Sequence, residues 1–481
     1  MMLDFRPILT TLGILLCSLS ILMLFPAAVD ISKQNPDWII FSICASLTMA
    51  CGGTLYLSNR TNKIYEINIR QAYLLTLLCW IVVPGFSAIP LIGLDISYTD
   101  AFFETMSAMT TTGSTVLTNL DNLPPGILMW RSLLQWIGGI GIIAMAIFIL
   151  PFIRSGGMQL FALESSDNSV KVLPRAYLLA VWLLSIYISL TLICMVLFYW
   201  SGMTVFDAIN HAMTTISTGG FSTHDASFGY FENTSTQWIC TLFMIFGALP
   251  FTLYIQSLKK DKTTLIRDPQ VKGFIFFLTG TSIVLAIWLV LSQHINFFDA
   301  LTLSTFNVVS IVTTTGYASD NYLAWGSAAG SVFLVLTLVG GCTGSTSGAI
   351  KIYRFQILWL IVKNHTLSLM SPNRVLSQTY NGRNITEDLQ RSVLAFLAVF
   401  FTTTFIATVI LGVVGLDPLT SFTASVTAIT NVGPGLGTII GPDGNFASLP
   451  DIAKWVLSIV MLIGRLEVFT VLVVLMPSFW G

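Results

Sequence analysis

Residues 100–115 read DAFFETMSAMTTTGST, and this stretch decides the fold. An aspartate suited to capping a helix opens it, helix-compatible residues follow, and a threonine-rich turn ends at Gly113. Three more stretches repeat the plan: DAINHAMTTISTG (207–219), DALTLSTFNVVSIVTTTG (299–316) and DPLTSFTASVTAITNVG (417–433). Their closing glycines, Gly113, Gly219, Gly316 and Gly433, recur at intervals of 106, 97 and 117 residues. Each stretch lies between long apolar segments, so the pattern is one supersecondary unit used four times. That unit is an apolar helix, a short re-entrant helix with its loop, and a second apolar helix.

The surroundings of these stretches are lipid-soluble. Of 481 residues, 54% are hydrophobic and 9% charged, where a water-soluble domain carries about 25% charged residues. Apolar segments fall at about 8–28, 38–57, 71–93, 126–153, 176–200, 237–257, 273–291, 328–362, 391–415 and 453–476, which predicts ten spanning segments. The first is too long for a signal-peptide core and is expected to be retained. The seven cysteines are scattered through apolar runs without a CxxC pair, which fits small buried side chains. The four histidines are dispersed, and His211 and His224 have no second metal ligand near in sequence.

Charge gives the orientation. With the N-terminus inside, 18 of 22 basic residues fall in cytoplasmic segments, among them Lys63, Arg154, Lys171, Lys260 and Arg374. Outside fall only Lys33, Arg131 and Lys454, with 14 of 23 acids, including Asp30, Glu104, Asp121 and Asp207. A negative mouth of this kind would concentrate cations, although acids also populate outer loops at little topological cost.

The four stretches make a case for a cation pore. Irregular backbone at membrane depth survives only when buried in protein or lining a watery cavity. Aspartates at the N-caps would start short helices whose partially negative C-terminal ends point to the membrane centre. The Thr/Ser/Gly turns that follow can aim carbonyls inward in place of an ion's hydration shell, with glycine supplying the unusual dihedrals.

At this point DAFFETMSAMTTTGST, LLQWIGGIGII (133–143), GGFSTHDAS (219–227), GGCTGSTSGAIK (340–351), NVGPGLG (431–437) and GRLEVFT (464–470) carry a resemblance. End to end, the chain resembles the Trk/Ktr/HKT superfamily of potassium transporters, and within it TrkH/TrkG-type uptake subunits. The resemblance implies an all-α polytopic membrane protein with a pseudo-tetrameric, potassium-channel-like pore of four helix–pore-loop–helix repeats behind an extra N-terminal helix pair. The units would be 1–62 for that pair, then 63–165, 166–265, 266–385 and 386–481. By motif position the selectivity filter would comprise Thr111, Thr112 and Gly113; Ser217, Thr218 and Gly219; Thr314, Thr315 and Gly316; and Asn431, Val432 and Gly433. The transported ion would be K⁺, with no organic cofactor in this chain. A homodimer with one pore per subunit is implied, together with a cytosolic TrkA-type ring that would itself bind NAD(H) or adenine nucleotides. The setting would be a bacterial inner membrane, with both termini cytoplasmic.

Two features point to a gate. Gly340, Gly341, Cys342, Thr343, Gly344, Ser345, Thr346, Ser347 and Gly348 hold no strong helix former and should interrupt the eighth segment beside the pore. The stretch lacks the Gly-Lys-Ser/Thr ending of a phosphate-binding loop. In the family it resembles, the equivalent loop obstructs the pore. Arg465 lies about midway along the last apolar segment, where a buried arginine is costly and functional by default. The resemblance makes it a pore cation opposing ion passage, with its partner on another helix or the loop. Lys351 ends the loop, either as a second gate charge or as a cytoplasmic anchor. Pro250 should kink or weaken the sixth segment.

An enzyme would need paired catalytic groups within helices, and the sequence offers no HExxH, intramembrane Asp pair or Ser/His constellation. The rival within transport is symport of K⁺ with H⁺ or Na⁺, for which Glu467 is the plainest protonatable group.

Overall fold

The computed structural model describes residues 4–60, 67–148, 172–259, 262–371, 379–381 and 383–480. The expected unit boundaries at 62/63 and 165/166, with Lys63, Arg154, Lys171, Lys260 and Arg374, lie outside these residues. The boundary at 265/266 falls within the short helix Thr264–Arg267.

Seven described helices are long and apolar enough to cross a membrane, or nine if each of two bent pairs is one span. Six of the seven have 28–39% of their apolar window buried, as expected for helices facing lipid on one side. Pro125–Ile143 has 78% buried, which places it inside the bundle. The N-terminal pair, Arg6–Ser32 and Trp38–Asn59, packs through glycines. A β-carbon on Gly13 would lie 2.7 Å from the Gly52 carbonyl oxygen, so the helices meet at backbone distance.

Between the long helices lie four short ones: Tyr98–Met109, Val205–Ile216, Phe297–Val312 and Pro418–Thr430. Each packs against the helices flanking it and against the helix that closes the preceding repeat. The first short helix closes the circle by packing on Asp451–Arg465. The caps differ from expectation. Ser97, Thr204 and Asn296 cap the first three, with Asp100, Asp207 and Asp299 in the first turn, and only Asp417 is itself a cap. Hydroxyl or amide caps free those carboxylates for other partners while leaving their charge at the positive end of the helix dipole.

Among the described residues, the sixth, eighth and tenth of the expected segments are broken. The sixth bends by 90° between Thr234–Ala248 and Phe251–Leu258, at Leu249–Pro250. The eighth stops at Leu338 and resumes at Ile352. Across that gap, Val339–Gly340 pairs in parallel with Ile350–Lys351 and pinches the neck of a loop. The tenth bends by 110° after Arg465. Its Glu467 and Val468 have φ of 56° and 46°, and for a β-branched valine that is a genuine outlier. Arg465 therefore ends a helix rather than sitting midway along one. A cation suits a helix C-terminus.

Candidate functional site

Each short helix unwinds into the same turn. The amides of Thr111, Thr218, Thr314 and Asn431 bond the carbonyls of Ala108, Thr215, Ile311 and Ala428, three residues back. The next amides, of Thr112, Gly219, Thr315 and Val432, reach five residues back to Ser107, Thr214, Ser310 and Thr427. Thr111, Thr218, Thr314 and Asn431 all have φ of 51–60°, and the residue two further on is a glycine at positive φ. Those glycines are Gly113, Gly220, Gly316 and Gly433. The second loop is thus Thr218-Gly219-Gly220, one residue later than its sequence motif suggests, and Ser217 is the helix cap before it. Two adjacent glycines left the register open, and the left-handed turn settles it.

The turns meet in a ring. A β-carbon on Gly113 would lie 2.4 Å from the Gly219 oxygen, and one on Gly220 1.8 Å from the Thr315 oxygen. One on Gly316 would lie 2.0 Å from the Val432 oxygen, and one on Gly433 2.8 Å from the Thr112 oxygen. Every loop presses its middle carbonyl against the glycine of the loop before it, in the order one, two, three, four and back to one. Only glycine fits such an approach. Side chains stitch the fourth loop to the first: Asn431 Nδ2 donates to Thr112 Oγ1 at 3.0 Å, and Ser114 Oγ to the Gly433 carbonyl at 2.9 Å.

The loop 340–348 lies against the C-terminal side of this ring. The Ala349 amide bonds the Thr430 carbonyl at 2.8 Å, and the Gly348 amide bonds Thr314 Oγ1 at 2.7 Å. Thr346 Oγ1 donates to the carbonyls of Ile216 and Gly247. The loop thereby fills orphan carbonyls at the ends of two short helices. It also uses the break at Leu249–Pro250: Cys342 N bonds the Ala248 oxygen, Thr346 N the Gly247 oxygen, and Phe251 N the Gly344 oxygen. Arg465 Nη1 holds the Thr346 carbonyl at 3.1 Å, so that of the two expected places for its partner, another helix or the loop, this bond is to the loop. Lys351 is buried, with Nζ on the Ser347 carbonyl, so it does not sit as a solvated anchor. Glu467 pairs with Arg354 at 2.7 Å, and Arg354 lies 3.7 Å over the Phe396 ring. Lys351, Arg354, Arg465 and Glu467 border a cavity of about 40 Å³, room for a few waters.

On the face where the short helices begin, not all acids form an open negative rim. Glu104 is fully buried and paired with buried Arg131 at 2.7 Å. Asp30 is buried and accepts from the Gly126 amide at 2.7 Å, capping a helix. Asp100 binds Lys454. His224 stands between Asp121 and Asp207. Burial alone would lower the His224 pKa, but hydrogen bonds and charge from Asp207 and Asp121 outweigh it and raise the value. Among the described residues no group of three or more His, Cys, Asp or Glu is arranged to hold a metal. The pairing of Arg131 with Glu104, the bonds of Thr346 to Ile216 and Gly247, and the placement of His224 between two aspartates carry no signal in the sequence motifs. The one available signal was an arginine and a glutamine four apart, 131 and 135, in an otherwise apolar helix.

The family model described as TrkH, a cation transport protein, matches residues 40–480. The chain is 46% identical over 477 residues to the Trk system potassium uptake protein TrkI of Halomonas elongata, covering 98% of this chain and 96% of that one. It is 36% identical over 488 residues to the Trk system potassium uptake protein TrkH of Vibrio parahaemolyticus, with 99% of each covered. The crystal structure of the potassium transporter TrkH from Vibrio parahaemolyticus matches with a TM-score of 0.91 at 34% identity, over 100% of both chains.

Proposed function

Since this chain belongs to the TrkH family of Trk-system potassium uptake transporters, we propose that it is the ion-conducting subunit, passing dehydrated K⁺ through the ring of four turns. The observation that carries this reading is the cyclic contact of the four turns, each glycine against the next loop's carbonyl. In the ring, Thr111-Thr112-Gly113, Thr218-Gly219-Gly220, Thr314-Thr315-Gly316 and Asn431-Val432-Gly433 supply carbonyls in place of water. The C-terminal ends of the four short helices add partial negative charge where the ion pauses. Loop 340–348 with Arg465 is the gate, held shut by the bonds through Thr346, and buried Lys351 adds a second positive charge.

The short helices begin at the outer face, and both termini are cytoplasmic in a bacterial inner membrane. The 18 cytoplasmic basic residues support this sidedness. In keeping with the family resemblance and with relatives named as parts of a Trk system, the chain works as a homodimer with one pore per subunit. A cytosolic TrkA-type ring, rather than this chain, takes the regulatory nucleotide.

The test is current through the purified chain in liposomes under K⁺ and Na⁺ gradients with the potential clamped. Current should reverse at the K⁺ equilibrium potential, and Gly113→Ser, Gly220→Ser, Gly316→Ser and Gly433→Ser should each weaken K⁺/Na⁺ discrimination. Equal flux of chloride, or unchanged selectivity in all four variants, would overturn the reading. A reversal potential that follows an imposed proton gradient would instead favour symport. Glu467, its plainest proton carrier, is already paired with Arg354.

A further inference from the structure

The motif LLQWIGGIGII (133–143) has no role in the pore as described so far. It lies on the most buried of the long apolar helices. The motif's glycines let that helix press against two pore turns. A β-carbon on Gly138 would lie 2.0 Å from the Met109 carbonyl oxygen, and one on Gly139 2.9 Å from Ser217 Cβ. One turn earlier, the fully buried Gln135 reaches the ring itself. Its Nε2 donates to the Gly219 carbonyl at 2.6 Å, and its Oε1 accepts from the Phe221 amide at 3.0 Å.

Gly219 O is the counterpart of Thr112 O, Thr315 O and Val432 O, the middle carbonyls of the ring. Among the described residues, no side-chain donor bonds any of those other three. A carbonyl engaged by a short N–H bond offers less of its lone-pair density to a passing ion. The middle level is therefore three free carbonyls and one attenuated. A weaker ligand field favours the larger, more easily dehydrated cation.

We infer that Gln135 is a specificity-determining positioning residue, which tilts the ring towards K⁺ over Na⁺ by holding one of its four middle carbonyls. The inference rests on the proposed filter. Loss of the bond should raise the field or loosen the loop, and both lower K⁺/Na⁺ discrimination.

The test is bi-ionic reversal potentials of the full chain in liposomes, for wild type, Gln135→Met and Gln135→Glu, between pH 5.5 and 8.5. Gln135→Met, which has no amide donor, should conduct K⁺ with a K⁺/Na⁺ permeability ratio about fivefold lower, the scale of one net hydrogen bond. In Gln135→Glu a protonated carboxyl can donate to Gly219 O and an ionised one cannot. Its ratio should be close to wild type in acid and fall as pH rises, while the ratios of wild type and Gln135→Met stay flat. Conducting variants with wild-type ratios at every pH would overturn the inference and leave the filter standing. Absence of K⁺-selective current in wild type would instead overturn the filter. For a variant too fragile to conduct, the excess heat stabilisation by K⁺ over Na⁺ in detergent gives a second readout. It should shrink relative to wild type, and an undiminished excess would also overturn the inference.

Discussion

Arg131 and Glu104 face each other behind the first two loops with side chains 2% and 0% exposed. Arg131 also donates to Thr115 Oγ1 and to the Ser222 carbonyl at 3.1 Å, and its guanidinium lies 4.1 Å over Phe221. Removing one partner leaves the other charge buried, at a cost of about 3–5 kcal/mol. Glu104→Gln should therefore lower the melting temperature in detergent sharply. Glu104→Leu combined with Arg131→Met should recover much of the loss, and additive losses would show that the two do not act as a pair. His224 makes a different prediction. Folding raises its pKa, so the stability it adds is complete below its unfolded value of about 6.5 and is lost as pH rises through the higher folded value. Asp121, whose pKa is lowered, shows the complementary shift: burial would raise it, but the bonds from His224 and the Asp225 amide prevail. The melting-temperature gap between wild type and His224→Gln should be largest near pH 5.5 and narrow above pH 8. A gap independent of pH would mean that the imidazole acts by packing alone.

The broken elements divide by whether the cause of the break is local. Gly340–Gly348 is legible because nothing in it favours a helix, and Pro250 because it lacks an amide and crowds the preceding turn. What Pro250 achieves was not legible, since its break frees the Gly247 and Ala248 carbonyls for a loop almost a hundred residues later in sequence. The bend after Arg465 carries no local signal, because GRLEVFT contains no proline and its one glycine lies before the arginine. Tertiary partners accompany it, with Arg354 taking Glu467 and Thr346 taking Arg465. Thr346 is the element-scale test. Thr346→Val keeps the volume and deletes the hydroxyl bonds to Ile216 and Gly247. Partner-free K⁺ current in liposomes should rise several-fold at unchanged K⁺/Na⁺ ratio. Current that stays at the wild-type level would remove Thr346 from the latch.

At the scale of the whole molecule, the long apolar helices and four short helices were legible because burial in lipid and the Thr-Gly turns both leave periodic marks. The described residues hold seven spans, or nine with the bent pairs, against the ten expected. The second turn was misread by one residue because adjacent glycines satisfy the motif equally, and only neighbouring backbone distinguishes them. Sequence position puts Arg131 and Glu104 on the outer side of the membrane but does not reveal what a side chain faces, and the two are buried against each other. The ring joins four different loops in chain order, and Lys454 bonded to Asp100 helps tie its last repeat to its first. In a channel built from four identical subunits, an inherited change strikes every position of the ring at once. Here a mutation arrives as a single dose, with three unaltered loops still completing the ring. With the ring as the proposed filter, ion preference is free to drift by quarters, one loop per mutational step.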